Sequence, residues 1–298
     1  MTASILIATI AGLGGMMGWG LADFFAKKTI DEIGDVVTLF WGHIVGTLCI
    51  IGIGIYIYST SSYTITLPTE PLPWAILFLF GMFQAIIYLL VYRGFGKGQL
   101  ALLNPVFASY SGVVALISLV VFGEVVTANV FVGLAILFLG IVLLNLDPQA
   151  IKLKKISFVH VPGFYEVFLA AIFAAIWTLG WDRFITNKDW LSYASVMYLS
   201  MSFTLLIYIL VRRIGILRVS RNLWKYIFFI GAFETLAYVA ISWGFATTPH
   251  TSVVALLSGA FSLPTIFLAR VFLKEKTSRL QTIASVVIVI GIVLLFVV

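Results

Sequence analysis

Hydrophobic residues run through this chain in long, nearly unbroken stretches, with the charged positions gathered between them. Ten runs span approximately residues 5–25, 36–58, 74–95, 100–122, 130–146, 164–185, 191–211, 224–246, 251–272 and 280–298. Hydrocarbon offers no partner to a backbone N–H or C=O, so a chain crosses it only as a helix or a closed barrel, and runs this continuous predict helices. Most connections are tight. The exceptions are residues 59–73 and 147–162, the second carrying Lys152, Lys154 and Lys155. No basic residue precedes the first run and no cleavage site follows it, so it reads as a retained span.

The pattern occurs twice. Gly-Ile-Val-Leu-Leu stands at residues 140–144 and again at 291–295. Trp74 pairs with Trp224, Gly81 with Gly231, Phe83 with Phe233, Tyr88 with Tyr238, Gly94 with Gly244 and Glu124 with Glu275, at an offset of 150 as far as Phe245 and 151 at Glu275. Five spans per copy is an odd number, so the second copy enters the membrane in the opposite sense. The expected fold is therefore an all-α integral membrane protein with ten transmembrane helices as two inverted five-helix repeats. The expected division is 1–148 for the first repeat, 149–162 for a connecting loop and 163–298 for the second. Inverted repeats of this kind build secondary transporters, with the substrate near the midplane where the halves meet.

Composition removes the soluble alternatives. Only 10% of residues are charged and 62% are hydrophobic, against about 25% charged in an average soluble domain. A mean hydropathy of +1.13 leaves too little polar surface to cover a water-soluble globule, so the expected surroundings are a lipid bilayer and the location a cell membrane. The single cysteine, Cys49, lies inside an apolar run, which excludes a disulfide framework. Of the 18 Lys and Arg residues, only Arg183 and Lys188 lie beside a connection that follows an even-numbered run. The positive-inside rule then puts the odd-numbered connections in the cytoplasm and both termini outside. The net charge of +6 thus reads as orientation and not as an affinity for nucleic acid. The matching loops differ as inverted halves require: residues 212–225 are strongly basic, whereas 59–73 contain no Lys or Arg.

Polar residues deep in the hydrocarbon are the candidates for chemistry. Glu234 lies ten residues past Trp224, as its repeat partner Gln84 lies ten past Trp74; at about 1.5 Å per residue both reach the bilayer centre. A carboxylate there costs on the order of 3 kcal/mol, so it faces the bundle or a wet cavity and is a functional candidate by default. Glu234 is expected to couple transport to protons; a neutral Glu234 bonded between helices as glue is the structural alternative. His43 is a second proton candidate or a packing residue. Asp23, four residues before Lys27, suits a helical ion pair as well as a site role. Glu166 lies near Lys152–Lys155, Asp182 and Arg183 fit an outer mouth, and Glu124 and Glu275 look like helix-end residues, or a gate.

Aromatic and small residues complete the candidate site. Trp19 aligns locally with Trp177, and Ala170, Ala174, Trp177 and Trp181 share one helix face. Gln84 with Tyr88, and Glu234 with Tyr238, stand at i and i+4 and share faces likewise. Lining a cavity, these rings suit an aromatic or amphipathic metabolite; the alternative is packing or lipid contact. Asn104 and Pro105 in the fourth run, and Ser262 and Pro264 in the ninth, mark kinks whose freed carbonyls and side chains a substrate could meet.

Gly18-Trp19-Gly20 running to Lys27, Asn104-Pro105, and the junctions Gly123-Glu124 and Lys274-Glu275, each followed by a helix with a late Gly-Ile-Val, resemble the ten-helix branch of the drug/metabolite transporter superfamily, built from two EamA-type repeats. The resemblance covers nearly the whole chain. It implies export or exchange of a small-molecule substrate through a central cavity, often against protons or a counter-substrate. It also implies cytoplasmic termini, opposite to the charge reading. The expected function is secondary active transport by alternating access, with an uncoupled facilitator for a sugar or nucleoside as the alternative. A non-transporting scaffold or a membrane enzyme is the reading from another class. None of the three histidines has metal-ligand spacing, and there is no Gly-x-Ser-x-Gly elbow or phosphate loop, so no cofactor or metal and no enzymatic activity is expected.

Overall fold

In a computed structural model the described residues are 3–61, 64–144, 161–215, 219–272, 274 and 278–296. The ten expected helices are present: α1 (Ala3–Ile33), α2 (Asp35–Thr60), α3 (Pro71–Lys97), α4 (Leu100–Val120), α5 (Ala128–Leu144), α6 (Phe164–Ile185), α7 (Trp190–Arg212), α8 (Trp224–Thr247), α9 (Thr251–Phe272) and α10 (Arg279–Phe296). Eight are long and apolar enough to cross a membrane; α5 and α10 are shorter apolar helices. Lys152, Lys154, Lys155, Arg218, Glu275 and Lys276, which entered the charge and repeat readings, lie outside the described residues.

The two repeats pack as inverted copies. α1 lies on α8 as α6 lies on α3, α2 on α8 as α7 on α3, and α1 on α9 as α6 on α4. Three pairs of equivalent helices, α2 with α7, α4 with α9 and α5 with α10, meet across the pseudo-twofold axis. Glycines found in the sequence repeat mark close approaches between helices. A Cβ on Gly231 would stand 2.6 Å from the Gly42 carbonyl of α2, and one on the equivalent Gly81 would stand 2.6 Å from the Met197 carbonyl of α7. Gly140 and Gly291 play the same part between α5 and α10, each set against the partner helix's backbone. In lipid no hydrophobic force drives helices together, so backbone proximity and dispersion hold such contacts.

Both pseudo-equivalent central helices are broken. Pro105 lies inside α4 and the helix steps at Ser109; α9 steps at Ala260 and Phe261, just before Pro264. Proline removes the donor for the carbonyl four residues upstream. After Pro105 that carbonyl, on Ala101, accepts Gln281 Nε2 at 3.4 Å, and after Pro264 it is on Ala260 and accepts the Leu263 N–H at 2.9 Å. The carbonyls expected for a substrate are thus taken up by the protein in this conformation.

Candidate functional site

The centre of the bundle is a polar and aromatic cluster drawn from both repeats. Gly18 and Gly20 let α1 settle against the α8 backbone at Phe233 and Ala237 and against Pro264 of α9. That places Trp19 edge-on to Tyr238, with ring centroids 5.6 Å apart. Trp177 meets Tyr238 from the other side at 6.0 Å, and Tyr198 meets it at 5.2 Å. Gln84 donates to the Tyr238 hydroxyl. A cavity of about 20 Å³, room for one water molecule, is lined by Trp19, Gln84, Tyr88, Tyr110, Trp177 and Tyr238, with Phe107, Ala174 and Thr178 closing it.

Beside this cavity lie the buried ionisable groups. His43 of α2 stands with Nδ1 3.5 Å from Glu234 Oε1 of α8, while its Nε2 lies 3.1 Å from the Tyr198 carbonyl of α7. Neither carboxylate oxygen of Glu234 has a hydrogen bond, although the residue is only 1% exposed. Asn104 Nδ2 donates to Asp23 Oδ2 at 2.6 Å, joining the broken α4 to α1. Asp23 does not pair with Lys27. That lysine binds Asp31 at 2.8 Å and the Phe95 carbonyl at 2.9 Å, because α1 continues to Ile33 and offers a carboxylate one turn further on.

Of the residues singled out from the sequence, Trp19, Gln84, Tyr88, Trp177 and Tyr238 line the cavity, and His43, Glu234 and Asn104 belong to the ionisable cluster next to it. Trp181 stacks on Trp177 at 5.3 Å, is wholly buried, and points its indole N–H at Ser242 Oγ, 3.3 Å away. Trp181 thus stands behind Trp177, outside the cavity lining. Ser262 is buried at the step in α9, its hydroxyl without a hydrogen bond, outside the cavity lining. Sequence reasoning passed over Tyr110 and Tyr198. Tyr198 sits across the α2·α7 axis from His43, with ring centroids 4.8 Å apart, a relation that no sequence spacing carries. Among the described residues no group of three or more His, Cys, Asp or Glu side chains is placed to hold a metal ion.

Polar contacts tie helix ends together on both sides of the bundle. At one end Glu124, turned by Gly123 at φ 65°, accepts the Ser252 N–H at 2.8 Å and its hydroxyl at 2.6 Å, with His250 Nδ1 3.8 Å away. Glu124 thus does more than end a helix: it caps the start of α9. Thr251 donates to Asp182 at 2.9 Å, and the Arg183 guanidinium lies 4.0 Å over the Phe122 ring. At the other end Lys97 pairs with Glu166 across the repeats, and Lys28 donates to the Tyr226 hydroxyl at 2.9 Å.

The sequence model of the EamA-like transporter family matches residues 6–146 and, separately, residues 162–297. No curated protein matches the chain. A solved crystal structure described only as that of a protein is 16% identical, with a TM-score of 0.70 over 97% of this chain and 98% of the other. At that identity the likeness concerns the fold.

Proposed function

The chain belongs to the EamA-like transporter family, and we propose that it is a proton-coupled secondary transporter of a small amphipathic or aromatic metabolite, working by alternating access. The observation that carries the coupling is the Glu234 carboxyl, buried without a hydrogen bond and 3.5 Å from His43 at the contact of α8 with α2. An ionisable side chain buried at this depth in a membrane span is a functional candidate by default. Access from one side would part Glu124 from Ser252, and access from the other would part Lys97 from Glu166. Each opening rehydrates Glu234 and His43 from one face only, which links proton exchange to the direction of access. The charge distribution supports cytoplasmic odd-numbered connections and external termini. The ring-walled cavity supports the substrate class.

Glu234→Gln tests the coupling in proteoliposomes. It keeps the shape and cannot ionise, so a pH gradient should no longer drive accumulation while exchange at saturating substrate persists. Accumulation driven by a pH gradient in that variant rules the role out and moves it to His43.

A further inference from the structure

Acceptor oxygens without a partner gather at the centre, beside the unpartnered Trp19 indole N–H and Tyr198 hydroxyl. Both oxygens of Glu234, Oε1 of Gln84 and Oδ1 of Asn104 are buried without a hydrogen bond, and all four are acceptors. The amides are oriented by their other contacts: the Asn104 amide donates to Asp23 and that of Gln84 to Tyr238, which turns their oxygens away. The residues are 0% to 6% exposed, Asp23 included, so bulk water does not supply the missing donors. Asp23 and Glu234 come from different repeats and lie within electrostatic reach of each other. Tyr88, a wall of the cavity, lies within reach of both. Charge is also out of balance. His43 offers at most one positive charge against two carboxylates, and Lys27, the nearest lysine in sequence to Asp23, is held by Asp31 and the Phe95 carbonyl. Trp19, Trp177 and Tyr238 line the cavity together with Gln84.

We propose that the central site takes the cationic group of an organic amine or guanidine, received between Asp23 and Glu234 and walled by the aromatic rings. The proposal rests on the transporter reading and narrows its substrate class. An ammonium supplies N–H donors and positive charge to these acceptor oxygens and the two acids, and ring faces attract a desolvated cation. In the closed, empty conformation protons on the two acids take the place of the cation; binding releases them, and the released protons are the counter-ions of transport. The titratable groups facing these acids are His43 from α2, Tyr88 and Tyr92 from α3, Tyr110 from α4, Tyr198 from α7 and Tyr238 on α8.

Three isosteric probes decide the matter on the purified full-length protein by calorimetry: tryptamine as cation, indole-3-ethanol as neutral analogue and indole-3-acetate as anion. At about pH 8 tryptamine should bind at least about tenfold more tightly than either analogue. Asp23→Asn should weaken tryptamine by about tenfold and leave the neutral analogue unchanged. Glu234→Gln, assayed alongside, gives the same reading if Asp23→Asn does not fold. Tryptamine binding no better than its analogues, no tryptamine binding at all, or unchanged tryptamine affinity in the charge-removing variants overturns the proposal. Uptake in proteoliposomes separates the two readings. A pH gradient that concentrates the neutral or anionic probe sinks the cation site and keeps proton-coupled transport. Cation binding with no gradient-driven uptake keeps the cation site and sinks the coupling.

Discussion

Adding one methyl group at Gly231 separates two helices. The Cβ of Gly231→Ala would stand 2.6 Å from the Gly42 carbonyl and 2.6 Å from the Gly46 nitrogen, both of them backbone atoms of α2 that no rotamer change can move. Restoring a contact of about 3.4 Å requires α8 and α2 to part by up to about 0.8 Å, a gap that forfeits a quarter to a half of the attraction between each pair of facing atoms. Overpacking of this kind costs roughly 1–3 kcal/mol. Gly81→Ala repeats the perturbation across the pseudo-twofold axis, 2.6 Å from the Met197 carbonyl of α7, and should cost a similar amount. Gly52 and Gly54, also in α2, have nothing within 4 Å of the position a methyl group would take and serve as controls. Purified protein in mixed micelles, titrated with SDS and followed by far-UV circular dichroism, should show lower midpoints for Gly231→Ala and Gly81→Ala. The midpoints of Gly52→Ala and Gly54→Ala should be unchanged or higher. Equal midpoints for Gly231→Ala and the wild type would refute the close-approach argument.

Two further outcomes follow from the positions of side chains. Trp181→Ala, emptying a wholly buried site against Phe80 and Trp177, should destabilise the protein by about 3–5 kcal/mol; Trp177→Ala, at the cavity wall, should reduce transport more than stability, which thermal unfolding set beside uptake will distinguish. In a Cys49→Ala background, a cysteine replacing Ser220 should resist an impermeant thiol reagent in intact cells and one replacing Ser61 should react; the reverse pattern would place the termini in the cytoplasm.

The fold was legible because lipid imposes a single local solution. An unbroken apolar run becomes a helix, and the repeat at an offset of 150 supplied the pairing that turns ten helices into two inverted copies. Helix ends were less legible. The first run stops at Phe25 where the lysines begin, but α1 continues to Ile33, and its 31 residues, about 46 Å at 1.5 Å each, exceed the hydrocarbon thickness. That extension decides against the ion-pair alternative for Asp23, because Lys27 found Asp31 instead. Residues of the cavity wall such as Gln84, Tyr88 and Tyr238 stood out because the repeat marked them twice. The approach of His43 to Glu234 had no such mark, since it depends on how α2 crosses α8, and apolar runs carry no information about crossing partners.

Fusing two inverted copies in one chain has a consequence for what the centre can contain. In a symmetric pair of identical five-helix chains every buried acid would occur twice, and a carboxylate near the axis would face its own image. Here the position equivalent to Glu234 is Gln84, whose amide donates to Tyr238, the residue one turn after Glu234. Duplication within a single gene freed one copy to keep the neutral amide and the other to keep the acid. The inherited geometry is two-fold, but its charge is not, a polarity closed to a symmetric pair of identical chains.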